Sequence, residues 1–142
     1  MRRICFIFVI FLLSCAKTSG KETYQFDKLL VVKTPERVSA SIPKSFFPDS
    51  VTLVSSSELK TNFMNIKEAY VQLETKDSMA LVINLVDSRA NMGDWKLLEK
   101  TMRPSEVEFL LEGFLKKSLS IIVTDKLETR EMRFYFKKQT TY

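Results

Sequence analysis

Hydrophobic and polar positions alternate with period two along two stretches of this chain. Between Arg37 and Pro43, Val38, Ala40 and Ile42 alternate with Arg37, Ser39 and Ser41. Between Ile66 and Thr75, Ala69, Val71 and Leu73 oppose Glu68, Tyr70, Gln72 and Glu74. Each pattern predicts a half-buried strand. Tyr24–Lys33, followed by a turn at Thr34-Pro35-Glu36, and Leu119–Thr124 read as further strands, and Val51–Val54 as a short extended piece. Arg130–Lys138 reads as a last strand with Met132, Phe134 and Phe136 inward. Ser57–Lys60 predicts one helical turn ending near Phe63. Lys76-Asp77-Ser78 predicts a hairpin turn. The run Met79–Val86, polar only at Asn84, predicts a central strand covered on both faces.

One segment carries the period of a helix. Val107, Leu110, Leu111, Phe114 and Leu115 follow the spacing of one buried helical face, behind Pro104 and a capping-box pair, Ser105 and Glu108. A helix over 104–117 follows, with Glu106, Glu108 and Glu112 on its polar side and Glu112 four residues before Lys116. Gly113 weakens such a helix by about 1 kcal/mol unless something packs closely against it. The expected class is therefore α+β: a mainly antiparallel sheet covered by at least this helix. A β-sandwich with one inserted helix is the alternative.

The first fifteen residues have another pattern. Arg2 and Arg3 precede an apolar run, Ile4–Leu13, which is too short for the about 20 residues a bilayer span needs. A charged start, a short apolar core and a small residue, Ser14, make a secretory leader. Leu12-Leu13-Ser14-Cys15 resembles the lipobox of bacterial lipoproteins, in the looser form of spirochaete members. That resemblance implies cleavage between Ser14 and Cys15, a lipid on Cys15, and a place in the cell envelope at the outer membrane. Residues 1–14 are then leader, 15–22 the lipidated cysteine and a small polar tether, and 23–142 one globular domain.

Composition narrows the chemistry. Cleavage of 14 residues from 142 leaves 128, enough for one core. The net charge of +5 falls to +3 when Arg2 and Arg3 leave with the leader, too little to argue for nucleic acid. A small basic cluster, Arg130, Arg133, Lys137 and Lys138, reads as the solvent side of a strand, with a site for anionic lipid or polymer as the alternative. The two cysteines are Cys5, in the leader, and Cys15, so the domain has neither thiol nor disulfide. The chain has no histidine, which removes Ser-His-Asp and Cys-His nucleophilic systems and imidazole zinc sites. Three glycines are too few and too scattered for a phosphate-cradling loop. No cofactor and no metal are expected.

The segment Asp87-Ser88-Arg89-Ala90-Asn91-Met92-Gly93-Asp94-Trp95 reads as a loop with three oxygen-bearing side chains, Asp87, Asn91 and Asp94, and the only tryptophan. Their spacing does not match a calcium loop. Either Trp95 packs on the core, or the loop is a recognition element with Trp95 as an exposed anchor. Phe46-Phe47 between Pro43 and Pro48 makes an irregular bend.

Residues 24–138 also contain an ordered set of features. Arg37 to Phe46 forms an "Ile-Pro, then aromatic" opening, a broken stretch follows with Leu59 and Phe63, and Ala69-Tyr70-Val71 lies on one strand. An apolar strand, a loop and an amphipathic helix before a terminal hairpin complete it. This order resembles the PsbP/DcrB-like group, which implies an antiparallel sheet flanked by helices and a binding, assembly or accessory role. The expected function is that of a non-enzymatic, lipid-anchored envelope protein that binds another protein or an envelope polymer. A small carboxylate-dependent glycan hydrolase and a carrier of a hydrophobic ligand are the alternatives. Metabolic labelling with a palmitate analogue should mark the wild-type chain and lose the mark in Cys15→Ser; equal labelling of both would exclude lipid at Cys15.

Overall fold

The structure, a computed structural model, describes residues 21–139 except 27, 28, 35 and 62–65. The leader, Ser14, Cys15 and the tether to residue 20 lie outside the described residues, as do Pro35 and Phe63. Eight strands are formed: β1 (Glu22–Phe26), β2 (Leu29–Lys33), β3 (Thr52–Thr61), β4 (Ile66–Thr75), β5 (Trp95–Arg103), β6 (Glu106–Gly113), β7 (Lys117–Asp125) and β8 (Arg130–Gln139). They make one antiparallel sheet in the order β1-β2-β3-β4-β8-β7-β6-β5. One helix, α1 (Met79–Arg89), links β4 to β5, and a 3-10 turn at Lys44–Phe46 lies between β2 and β3. The class is α+β and mainly β; the described strands form one sheet, not the two of a sandwich.

Period two sets the two faces. Ala69, Val71 and Leu73 of β4 point inward with Met132, Phe134 and Phe136 of β8, Leu119, Ile121 and Val123 of β7, and Val107, Phe109 and Leu111 of β6. All are buried, and they share one core with Val82, Val86 and Ala90 from the helix segment and Ile42 and Phe46 from the β2–β3 connection. Helix and connection thus contribute side chains to the same core as the inner face.

The helix and the strand at its partner position are exchanged relative to the sequence expectation. Met79–Arg89 is a helix, not a central strand: Ser78 Oγ accepts the Leu81 amide at 3.3 Å as its N-cap, and Arg89 stands in its last turn. Val82, Val86 and Ala90 recur every four residues and are buried, while Leu81 is 61% exposed. A run polar only at Asn84 shows no clear period, so length and the Ser78 cap were the available signals. Conversely, 104–117 is no helix. Pro104 and Ser105 turn the β5–β6 hairpin, and Val107, Phe109 and Leu111 alternate inward along β6. Val107 and Leu111 fit both periods; pairing with β5 and β7 selected the strand. Glu106, Glu108 and Glu112 accordingly line the opposite face of the sheet. Gly113 does receive a close neighbour, since a Cβ there would lie 3.0 Å from the Trp95 ring.

Smaller differences follow from pairing. Val38–Ile42 is irregular and joins no strand of the sheet; Ser39 and Ile42 are nonetheless buried. Ser57–Lys60 continues β3, without a helical turn, and Lys76-Asp77-Ser78 leads into α1 where a hairpin turn was expected. Tyr24–Lys33 is divided into β1 and β2, and β1 begins at Glu22, the last residue assigned to the tether. Strand 37–42, strand 79–86 and helix 104–117, all features of the PsbP/DcrB-like order, are therefore formed differently.

The turn between β6 and β7 is strained. Leu115 (φ 61°) and Lys116 (φ 53°) both hold left-handed angles in the three-residue turn between Gly113 and Lys117. Asparagine and glycine adopt them readily; other residues do so at a cost of roughly 1 kcal/mol or more each. Leu115→Asn with Lys116→Gly should raise stability by about 1–2 kcal/mol in urea melts; unchanged stability would show that the turn relaxes in solution.

Candidate functional site

The face opposite the core is polar and open. Its rows follow from the register. At the lower row Leu59, Glu68, Lys137 and Ser118 are neighbours across β3, β4, β8 and β7. The middle row is Ser57, Tyr70, Tyr135, Ser120 and Leu110, continuing onto β6. These two rows line a depression of about 400 Å³ that spans five strands. Tyr70 and Tyr135, direct cross-strand partners, stand with ring centroids 4.9 Å apart at 45°. Tyr135 is 44% exposed and Tyr70 half-buried. Glu68 and Lys137 close the lower edge with an ion pair at 3.1 Å.

A polar lattice borders the upper edge. Tyr70 and Ser55 hydroxyls donate to Gln72 Oε1 at 3.1 and 3.3 Å, and Gln72 Nε2 donates to Glu131 at 3.0 Å. Glu131 also binds Lys126, whose ammonium lies 3.5 Å from Glu74. Arg133 donates to Glu106 at 2.9 Å, and Arg103 reaches the same carboxylate at 2.6 Å. Burial, then the neighbouring Tyr135 and Glu131, raise the Tyr70 phenol above its ordinary value. It therefore stays protonated at neutral pH and remains a hydrogen-bond donor. The Lys126 ammonium is likewise held in its charged form, first by its hydrogen bond to Glu131.

The residues singled out between 87 and 95 serve other contacts. Asp87 lies on α1 and binds Lys100 Nζ at 2.6 Å. Asn91 Oδ1 accepts the Leu97 amide at 3.2 Å. The Asp94 carbonyl accepts the Phe114 amide at 3.3 Å. The loop proper is 90–94, and Trp95 opens β5. Its half-buried ring meets Phe46 edge-on, with centroids 6.4 Å apart, and lies against Gly113. Asp87, Asn91 and Asp94 thus each anchor a neighbouring segment. Among the described residues no three histidine, cysteine or acidic side chains are placed to hold a metal ion.

The Tyr70–Tyr135 depression escaped sequence reasoning because its members come from five strands. The signal was present: Tyr70 and Tyr135 occupy the polar phase of otherwise alternating strands, where large rings are not needed by the core. Neither protein-family models nor curated proteins match the chain.

Trp95→Ala should lower stability by about 3 kcal/mol, because it opens a void between Phe46 and Gly113. Urea unfolding checks this; a change below about 0.5 kcal/mol would mark the ring as a surface group.

Proposed function

We propose that this protein is a lipid-anchored component of the bacterial cell envelope, held at the outer membrane by a lipid on Cys15, and that its open sheet face binds an envelope polymer. The anchor is supported by the charged start, the apolar run and the Leu12-Leu13-Ser14-Cys15 box. Two acyl chains suffice for stable attachment, where one gives only reversible binding. The binding reading is carried by one observation, the Tyr70–Tyr135 pair set among Ser57, Ser118 and Ser120 on a face the core does not use. Aromatic rings offer flat apolar area together with a polar tip, and the serines offer both donors and acceptors. This combination suits a polyhydroxylated chain such as a glycan, lying across the strands.

The two alternatives find less support. A carboxylate-dependent hydrolase needs two converging carboxyl groups flanking the scissile bond. Glu106 and Glu131 on this face are instead engaged by Arg103, Arg133, Lys126 and Gln72. A carrier of a hydrophobic ligand needs space beneath the helix, and there Val82, Val86, Phe46 and Phe109 fill the interface. A protein partner is a second reading, favoured by edge strand β5. Its Leu98 and Met102 are exposed beside a backbone edge that pairs with no other described strand, as strand addition requires.

Co-sedimentation with isolated cell-wall polymer tests the proposal. The wild-type chain should bind, and Tyr135→Ser should lose most of that binding while its stability changes by less than about 1 kcal/mol, because the ring is exposed. Undiminished binding by Tyr135→Ser would exclude this face.

A further inference from the structure

The inner face ends in a feature that folding does not explain. Its apolar columns on β4, β8 and β7 are each continued, at the next inward position, by a lysine: Lys67 after Ala69, Lys138 after Phe136 and Lys117 after Leu119. The register places Lys67 opposite Lys138 and Lys138 opposite Lys117. Like charges directly opposite one another destabilise a sheet. The rest of the basic cluster on β8 is matched: Arg130 by Asp125, Arg133 by Glu106 and Lys137 by Glu68. The three lysines of the row have no ion-pair partner among the described residues. They line one open cavity of about 420 Å³, together with Trp95, Phe136 and a single acidic residue, Asp94.

The strained β6–β7 turn lies at this same end, since Gly113 pairs with Lys117. Phe114 and Leu115 are 69% and 72% exposed there, and Lys116 is exposed beside them. Leu115 and Lys116 keep side chains at left-handed positions where glycine would relieve the backbone. Met92, also exposed, sits in the loop leading to Trp95, the β5 partner of Gly113.

We propose that this end of the sheet docks on the surface of an anionic lipid bilayer. Phe114 and Leu115 enter the interface, and Lys67, Lys117 and Lys138 meet lipid phosphates. Charge complementarity commits the site to this occupant: a small anion would neutralise the lysines but leave the apolar turn unmatched. A bilayer surface accepts apolar side chains at the acyl boundary and cations at headgroup level. The docking does not depend on lipid at Cys15. It also leaves the Tyr70–Tyr135 depression free, because that depression opens on the other face of the sheet.

The test uses the full chain with Cys5→Ser and Cys15→Ser, so that a cysteine in Leu115→Cys carries an environment-sensitive fluorophore. Vesicles of phosphatidylcholine alone are compared with vesicles that also contain phosphatidylglycerol. The leader is present in every sample and its Arg2 and Arg3 also favour anionic lipid, so the comparison with the triple lysine variant carries the test. A blue shift confined to the anionic vesicles, reversed by salt, is expected. Each lysine near an anionic surface is worth roughly fivefold in binding, so Lys67→Gln, Lys117→Gln and Lys138→Gln together should weaken the response by on the order of a hundredfold. The melting temperature of that triple variant should be unchanged or raised, because the repulsion is gone. Equal emission in both vesicles, or an undiminished shift in the triple variant, overturns the proposal. Inorganic phosphate and chloride at equal ionic strength should reverse the shift equally. Reversal by phosphate alone assigns the row to a small-anion site and overturns bilayer docking.

Discussion

Ten consecutive pairs between β4 and β8, from Ile66 opposite Gln139 to Thr75 opposite Arg130, join the two halves of this protein. The strands before α1 form one meander and the strands after it another. Only the β4–β8 ladder makes them one sheet. It sets Ala69, Val71 and Leu73 beside Phe136, Phe134 and Met132, the centre of the inner face. The helix can then bury Val82, Val86 and Ala90 against a surface that neither half possesses alone. Such long-range pairing requires loop closure before contacts reward it.

The same ladder creates both proposed surfaces. Tyr70 opposite Tyr135 is one of its pairs and Lys67 opposite Lys138 is another. Lys67 and Tyr70 are three positions apart along β4, and that odd spacing sends them to opposite faces. One strand pair thereby supplies a polar depression on the outer side and a cationic row on the inner side. A slip of one register position would exchange the faces and destroy the core with both sites.

Stability and recognition draw on different groups. The fully buried Phe109, Phe134, Leu111 and Met132 provide the apolar burial. The ion pairs of the outer face are partly exposed and individually worth little, about 0–1 kcal/mol each. Their role is geometric: they hold Arg133, Glu106 and Glu131 in one lattice beside Tyr70. The left-handed Leu115 and Lys116 and the opposed lysines are local costs that the core tolerates. At the exposed edge, a bulge between Leu97 and Glu99 interrupts the regular pairing of β5.

In β4 and β8, strands with one wet face, the sequence was decisive. The alternation over 66–75 and 130–138 placed Val71, Leu73, Met132 and Phe134 in the core, because period two has no helical counterpart there. The absence of histidine and the leader pattern likewise need no structure. Two segments were ambiguous in isolation. Met79–Val86 has only Asn84 to reveal a period, and Val107 and Leu111 satisfy helix and strand together. Tertiary pairing decided both, since β6 completes a sheet between β5 and β7 while Val82 and Val86 of α1 join the common core. The tyrosine depression and the lysine row were decided at the same level. Each is assembled across strands far apart in the chain, and only the register brings their members together.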